Sequence, residues 1–313
     1  MSEAGPVRRP DPRLKLLTLQ HLNCEDRYHS HRIDIRLVGM MFIATAQSPI
    51  SADVRSNGRF VRELMQDARD KKARIVHFAE GALSGYSKSE VRDWTAFDWA
   101  AIREELAHVA SHAKKLGIWV VLGCSHRLSE PHRPHNSLYV ISDAGAVIGR
   151  YDKRFCSNNE INNWYSPGFE PMMFSLDGFK FGCALCIEVV FPEVFTEYER
   201  HDVDCVFFSA YSSDPRYGTM LRGHAAINCL WISMSTPAQC GSTLPSGLIG
   251  PDGEFFSVCD ATGLPTVTIG RLEKANYEIA LTKARPWRRT AREGSIYRSR
   301  RVRNYRSANK VEI

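Results

Sequence analysis

The sequence contains no long hydrophobic run. None of its apolar segments approaches the roughly 20 residues that a transmembrane helix needs, which argues against a membrane-embedded enzyme. Residues 1–15 include arginines but no apolar stretch, so we expect no secretory signal. Internal repeats and low-complexity linkers are also lacking, and we therefore expect one large folded domain.

A paired set of cysteines is lacking too. The nine cysteines are odd in number and scattered along the chain, mostly in apolar, strand-like contexts. This distribution is typical of buried free thiols in a reducing compartment rather than of a disulfide framework. We therefore expect a cytoplasmic protein.

The net charge of +6 is not spread over the chain. Between Arg271 and Ile313 there are 13 Lys and Arg but only 4 Asp and Glu, so the remainder is slightly acidic. A basic face distributed over the fold is therefore missing, which makes nucleic-acid binding the weaker interpretation. We expect the basic tail to pack on its own or a sister subunit.

Composition divides the chain into three segments. Residues 1–38 are rich in Arg, His and Pro and show no helical or strand period, so we predict an N-terminal extension. It is either disordered or precedes the true translation start, which the pair Met40-Met41 would provide. Residues 39–290 are predicted to form the folded domain, and residues 291–313 a basic tail at a subunit interface.

Short apolar strands alternate with amphipathic helices through the folded domain. Such alternation is typical of an α/β fold, and a hairpin at 137–149 predicts mixed rather than purely parallel sheets. The predicted strands are 41–47, 75–78, 118–122, 137–141, 146–149, 179–186, 204–208 and 230–235, and the predicted helices are 54–72, 97–116, 192–201 and 217–229.

Three of these strands are followed by a chemically useful side chain. Glu80 follows the strand at 75–78, Lys153 follows the hairpin, and Cys186 ends the strand Phe181-Gly-Cys-Ala-Leu185. Taken singly, such a Glu or Lys is usually solvated, and a buried Cys is usually a small hydrophobe. Because active sites of α/β folds collect at strand ends, the three together predict a site built around a thiol nucleophile.

The sequence motifs around these residues resemble those of the nitrilase superfamily of carbon–nitrogen hydrolases, and the resemblance extends over about residues 41–290. The matching stretches are FAEGALSGY around Glu80, HNSLYVISDAGAVIGRYDKRF around Lys153, SPGFEPMMF, GCALCIEVVFPEVF around Cys186, and SGLIGPDGEFFSV. The resemblance implies an α-β-β-α sandwich that pairs into a homodimer or larger homo-oligomer. It also implies a Glu–Lys–Cys triad and no metal or organic cofactor.

Elementary chemistry fits the implied roles of the triad. Glu80 would accept the thiol proton and deliver it to the departing amine, while Lys153 would stabilise the oxyanion. The backbone N–H of Ile187 would be a second oxyanion donor. The attack of Cys186 on a small-molecule amide would give a thioester, which water then hydrolyses to the acid.

A second glutamate is predicted to support the triad. Many superfamily members carry a further Glu in the loop after the Lys, and Glu160 is the only carboxylate between Arg154 and Gly168. Some amidases have this Glu two positions before the Trp, where this chain has Asn162. We expect Glu160 to position substrate or water, the alternative being a solvated loop residue.

Departures from the superfamily pattern bear on the substrate. Val189 and Val190 stand where members that act on carboxylate-bearing substrates have Arg, which disfavours N-carbamoyl amino acids and ω-amides of keto acids. Ile187 replaces the Trp typical of true nitrilases, so amide hydrolysis is favoured over nitrile hydrolysis. Candidates for the wall of the substrate pocket, each of which could equally be core, are Tyr86, Trp164, Tyr165 and Tyr211.

Three other interpretations of the sequence have to be weighed against amide hydrolysis. Cys183 and Cys186 form a Cys-x-x-Cys pair, but both lie on a strand or its end rather than at a helix N-terminus, which disfavours a thiol-redox protein. The segment from Cys124 to His135 has metal-ligand residue types without a zinc spacing, so no metal site is predicted. A catalytically degenerate, ligand-binding member of the superfamily is the remaining alternative.

Overall fold

The computed structural model of the protein describes residues 39–308 and residue 311. The predictions made for residues 1–38 lie outside this part of the chain. The strands are β1 (Met40–Gln47), β2 (Ile75–His77), β3 (Trp119–His126), β4 (His135–Ile141), β5 (Val147–Asp152), β6 (Met173–Leu176), β7 (Phe179–Leu185), β8 (Cys205–Ser209), β9 (Trp231–Ser235), β10 (Gly247–Ile249), β11 (Phe255–Val258) and β12 (Thr266–Glu273).

These strands form two mixed sheets. The first has the order β12-β1-β2-β3-β4-β5 and the second β11-β10-β9-β8-β7-β6. Neighbours in β1-β2-β3 and in β7-β8-β9 run parallel, whereas the outer pairs are antiparallel. Because parallel neighbours end at the same sheet edge, the residues that follow β2 lie at one edge of the first sheet, and those that follow β7 and β8 lie at one edge of the second.

Seven α-helices lie within the described residues. They are α1 (Val54–Asp70), α2 (Trp99–Leu116), α3 (Pro192–Arg200), α4 (Arg216–Asn228), α5 (Arg285–Glu293), α6 (Ser295–Arg298) and α7 (Tyr305–Ala308). Asp53 caps α1 by accepting from the N–H groups of Arg55 and Ser56. The α2 helix ends at Gly117, whose φ of 63° is the left-handed conformation that glycine adopts without strain.

The core has three apolar layers. One joins α1 and α2 to the first sheet, as Leu64 packs with Val120. A second lies between the sheets, where Leu138 and Phe207 meet. The third joins α3 and α4 to the second sheet, as Phe195 packs with Ile232. This order of layers is the α-β-β-α sandwich that the sequence predicts.

The predicted elements agree with the structure to within a few residues at their ends. Helices were expected at 54–72 and 217–229 and lie at Val54–Asp70 and Arg216–Asn228. The apolar pattern of the sequence did not predict strands β6, β10, β11 and β12. Within the described residues, no helix is both long and apolar enough to cross a membrane.

Part of the basic C-terminal region binds its own chain. Arg289 Nε lies 3.1 Å from Glu199 Oε1, and Arg292 also pairs with this carboxylate, whose side chain is only 1% exposed. The Arg288 guanidinium donates to the Ala226 carbonyl at the end of α4 over 3.1 Å. The arginines of α5 therefore fasten that helix to α3 and α4. An interface role for residues 291–313 stays a prediction.

Candidate active site

Cys186 lies where β7 ends and a short 3₁₀ turn, Cys186–Val190, begins. Its φ of 50° lies in the left-handed region, which a residue with a side chain rarely occupies and which clusters at functional sites. The residue is 7% exposed, so a small path to solvent reaches it. This arrangement presents a thiol from a rigid strand end.

Cys183 faces another part of the protein. It is fully buried in the layer between the two sheets, while Cys186 belongs to the layer beneath α3 and α4. Both are free thiols, and burial raises the pKa of Cys183. The two thiols of the Cys-x-x-Cys pair therefore lie in different apolar layers of the protein.

Glu80 follows β2 and is completely buried. Its carboxylate accepts hydrogen bonds from Lys153 Nζ over 3.0 Å, from Asn136 Nδ2 over 2.7 Å and from the Tyr211 N–H over 2.8 Å. Three strand ends thus fix its orientation. Besides the effect of burial, the negative charge of Glu80 also acts on the Cys186 thiol and raises its pKa.

Lys153 is the positive charge at the centre of the site. Its Nζ lies 3.0 Å from Glu80 Oε1 and 2.8 Å from Glu160 Oε1, and the side chain is completely buried. Burial lowers the pKa of Lys153, but attraction to Glu80, Cys186 and Glu160 outweighs it and holds the pKa well above its usual value. The ammonium is therefore charged at neutral pH and acts as a hydrogen-bond donor.

Glu160 begins a π-helical turn, Glu160–Trp164, and is 1% exposed. Besides Lys153 it binds the Ser157 N–H over 2.7 Å and the Tyr86 hydroxyl over 3.2 Å. Burial raises the pKa of this carboxyl, yet Lys153 and Ser157 bring it below its usual value. Asn162 instead bonds Asn158 at the surface, so Glu160 is the loop residue that reaches Lys153.

The Cys186 thiol is neutral in this environment. Burial raises the pKa of Cys186 most strongly and Glu80 raises it further, while Lys153 opposes them. Because the thiolate is the nucleophilic form, a reaction at this sulfur requires a proton acceptor in contact with it. Glu80 is the nearby carboxylate that acts most strongly on this thiol and is therefore the candidate acceptor.

Glu188 is a site residue that the sequence analysis missed. It is completely buried, and its carboxylate accepts from the N–H groups of Leu185 over 2.7 Å, Arg154 over 2.8 Å and Phe155 over 3.1 Å. The Tyr151 hydroxyl adds a fourth hydrogen bond of 2.7 Å. Glu188 therefore joins the turn that holds Cys186 to the segment that holds Lys153. Its position two after the Cys in GCALCIE was the available signal.

Asn136 and Tyr217 were missed as well. Asn136 donates to Glu80 through its side chain, and its carbonyl accepts from the Lys153 N–H over 2.8 Å. The Tyr217 hydroxyl, on the first turn of α4, lies 3.9 Å from Cys186 Sγ. Asn136 could have been found in the HNS motif, whereas nothing near Tyr217 in the sequence points to Cys186.

The four predicted pocket aromatics divide into two groups. Tyr86 and Tyr211 stack with ring centroids 4.8 Å apart and contact Glu160 and Glu80 respectively. Tyr165 is 2% exposed, and Trp164 packs edge-on against Trp94 with centroids 6.3 Å apart. The structure therefore brings Tyr86 and Tyr211 to the site and puts Tyr165 in the core.

Ile187 is the second residue of the 3₁₀ turn. The first N–H groups of a helical turn have no partner within it and can bind an anion. Its assignment as an oxyanion donor stays a prediction.

Potential metal ligands outside this site are already engaged. His126 bonds the Tyr139 hydroxyl over 2.6 Å, His135 bonds the Ser166 carbonyl over 2.8 Å, and the Cys124 thiol donates to the Ser125 carbonyl. In the part of the chain that the structure describes, no group of three or more His, Cys, Asp or Glu could hold a metal ion.

The sequence model of the family described as "Carbon-nitrogen hydrolase" matches residues 42–277. The chain belongs to the carbon–nitrogen hydrolase family. The predicted membership of a carbon–nitrogen hydrolase family is thereby confirmed.

Two relatives show where the similarity lies. The 2-oxoglutaramate amidase of Bacillus subtilis is 25% identical over 217 residues, which cover 68% of this chain and 79% of that enzyme. The glutamine-dependent NAD(+) synthetase of Acinetobacter baylyi is 28% identical over 152 residues, or 47% of this chain. The latter match spans only 27% of the synthetase.

Solved structures share the fold of this family member. An amidase of the nitrilase superfamily from Nesterenkonia AN1 superimposes with a TM-score of 0.66 and 18% identity, covering 76% of this chain and 92% of the amidase. The C. elegans NitFhit protein gives a TM-score of 0.69 at 18% identity, covering 79% and 64% of the two chains. These similarities confirm the sandwich architecture.

Proposed function

We propose that this family member hydrolyses a small amide to an acid and ammonia or an amine through a thioester on Cys186. The observation that carries the proposal is the buried contact of Lys153 Nζ with Glu80, 3.0 Å, and Glu160, 2.8 Å, beside a thiol at a strained strand end. A cation, a proton acceptor and a nucleophile are the groups that acyl transfer requires.

Acylation begins when Cys186 attacks the amide carbonyl and its proton passes to Glu80. The C=O π electrons move to oxygen, and Lys153, with the Ile187 N–H, stabilises the resulting oxyanion. The C–N bond then breaks, and Glu80 returns the proton to the departing amine. The acyl group remains on Cys186 as a thioester.

Deacylation uses the same groups in reverse roles. Glu80 takes a proton from water, whose oxygen attacks the thioester carbonyl. The C–S bond breaks, the acid leaves, and the proton returns to the sulfur. Glu160, through its 2.8 Å contact, keeps Lys153 directed at the oxyanion in both steps.

We propose an uncharged amide as the substrate class. Val189 is buried beneath α3 and α4, Val190 is 47% exposed, and neither side chain can bind a carboxylate. The similarity to 2-oxoglutaramate amidase favours a second candidate, an ω-amide that carries a carboxylate. Nitriles and carbamoyl compounds are further alternatives for the same triad.

Product analysis separates these substrates. The protein is incubated with short aliphatic and aromatic amides, 2-oxoglutaramate, matched nitriles and carbamoyl compounds, and the released ammonia and acid are measured. We expect turnover of neutral amides, and preferred turnover of 2-oxoglutaramate would instead establish the second candidate.

Mass spectrometry tests the covalent step. We expect a thioester adduct on the wild type and none on Cys186→Ala, with Cys183→Ala as the control that removes a thiol of the same strand. Full activity of Cys186→Ala would refute the mechanism. Ligand binding without turnover of any compound would favour the degenerate, ligand-binding alternative.

Assembly and location are also proposed. A homodimer or larger homo-oligomer in the cytoplasm would agree with the family and with free thiols such as Cys183 and Cys205. Light scattering across a concentration series measures the oligomeric state, and a monomer at all concentrations would contradict this proposal.

A further inference from the structure

The Tyr217 hydroxyl reaches the nucleophile from α4, an element that carries neither Glu80 nor Glu160. It lies 3.9 Å from Cys186 Sγ, and within residues 39–308 this sulfur is the hydrogen-bond partner found for it. The Tyr217 ring packs edge-on against Phe208, with centroids 6.4 Å apart, which holds the hydroxyl in place. The residue is half-buried.

During the proposed reaction the sulfur of Cys186 changes from a neutral thiol to a thiolate. The Tyr217 hydroxyl can form a stronger hydrogen bond with the thiolate. A neutral thiol is a weak acceptor, so a contact of 3.9 Å is unsurprising in the resting state. After the proton has moved to Glu80, the thiolate is a charged acceptor, and hydrogen bonds to charged groups are shorter and stronger. Catalytic hydrogen bonds are often long in the free enzyme and tighten as the reaction proceeds.

We propose that Tyr217 is a further catalytic residue, whose hydroxyl donates a hydrogen bond to the Cys186 sulfur once the thiol proton has passed to Glu80. The inference rests on the proposed role of Cys186 as the nucleophile. Lys153 and Tyr217 then share the stabilisation of the thiolate, one as a cation and the other as a neutral donor.

The protonation state of the phenol is consistent with donation. Burial raises the pKa of Tyr217, and Cys186 raises it further, so the hydroxyl keeps its proton throughout the neutral range. It therefore serves as a donor and not as a base. The base of the proposed reaction remains Glu80.

The test measures the alkylation rate of Cys186 by iodoacetamide between pH 6 and 10 on the full chain, with the modified peptide quantified by mass spectrometry. This rate follows the thiolate population and needs no knowledge of the substrate. Tyr217→Phe removes the hydroxyl and keeps the ring against Phe208. Tyr277→Phe is the matched control, because that hydroxyl bonds Asp252 at a distance of 3.1 Å and lies outside the site.

For Tyr217→Phe we expect alkylation to be about tenfold slower than in the wild type across this pH range, with the rate rising in parallel as the pH increases. The two profiles are parallel because the raised pKa of Cys186 keeps the whole range below the inflection. Tyr277→Phe should follow the wild-type profile. Far-UV circular dichroism and a thermal melt establish that both variants are folded.

Two results would overturn the inference: a Tyr217→Phe profile that coincides with the wild type, or alkylation that is faster in the variant. The second would mean that the phenol only limits access to the sulfur. Absence of amide hydrolysis by the wild type, together with slower alkylation of Tyr217→Phe, would refute the proposed function and leave the hydrogen bond established.

Discussion

At the scale of single residues, Glu80 accepts a proton in both halves of the proposed reaction. It must take the proton of a buried, neutral thiol and later that of water. We expect Glu80→Gln to lower kcat/KM for amide hydrolysis by about 10²–10⁴-fold, because an amide cannot accept either proton. Initial rates of ammonia release measure the loss.

The control for this substitution is Glu63→Gln, which neutralises an exposed carboxylate on α1 and should leave the rate unchanged. Activity of Glu80→Gln within twofold of the wild type would assign the base to another group.

Asn136 is a second residue whose effect can be separated from simple loss of packing. Its Nδ2 donates to Glu80 Oε1 over 2.7 Å in a buried setting. In Asn136→Asp a second carboxylate would face Glu80, and two like charges at that distance favour retention of one proton. We expect activity at pH 7 to fall about tenfold or more and to recover at higher pH, as seen in a pH–rate profile.

Asn136→Ala removes the donor without adding a charge and is the matched comparison. It should lose activity with no such recovery at high pH. Identical profiles for the two variants would mean that Asn136 acts on Glu80 only through packing.

At the scale of elements, the site depends on how the turn after β7 is joined to the segment after β5. Glu188 makes this connection with four hydrogen bonds to donors up to 37 residues away in sequence. Glu188→Gln would turn an amide N–H₂ toward donors, leaving one or two of them unsatisfied. We expect a loss of about 2–4 kcal/mol in the free energy of unfolding and slower alkylation of Cys186.

Urea unfolding and the iodoacetamide rate measure these two effects. Glu197→Gln is the control, because Glu197 pairs with Arg154 over 2.7 Å but is one-third exposed, and such pairs contribute little. A stable Glu188→Gln variant with normal alkylation would show that the turn holds its geometry without this residue.

The same elements show why sequence patterns reach only part of the site. Apolar periods predict β2, β7 and β8, whose side chains are buried except for the half-buried Lys180, and sequence motifs predict Glu80, Lys153 and Cys186. Strand β11 has mostly exposed side chains and β10 is three residues long, so neither produces a recognisable period. Tyr217 contacts Cys186 only because α4 packs beside the turn, and no local pattern encodes that contact.

At the scale of the whole molecule, the two sheets are joined by a buried polar chain around His77. Its Nε2 lies 2.7 Å from Ser209 Oγ, and its Nδ1 lies 2.9 Å from Ser233 Oγ. Ser209 donates its only hydroxyl proton to the Phe78 carbonyl, so Nε2 must donate to Ser209. A neutral ring then accepts at Nδ1 from Ser233, and both hydrogen bonds between the sheets require this one tautomer.

This requirement makes the stability of the sandwich depend on pH. Burial lowers the pKa of His77 from 6.5 to about 3, so between these values the unfolded chain binds a proton that the folded chain does not. Stability from this residue is therefore complete above pH 6.5 and is lost, by at most about 1.4 kcal/mol per pH unit, as the pH falls toward 3.

The measurement is urea unfolding of the wild type and His77→Gln at pH 7.5 and pH 5. The variant should be less stable at pH 7.5, because a glutamine amide cannot reproduce both hydrogen bonds, but the difference should shrink at pH 5. His132→Gln, which changes an exposed histidine, should track the wild type at both pH values. The free energy of unfolding of the wild type could instead exceed that of His77→Gln by the same amount at pH 5 and pH 7.5. The contribution of His77 would then not depend on its protonation state, and the tautomer assigned from Ser209 would be wrong.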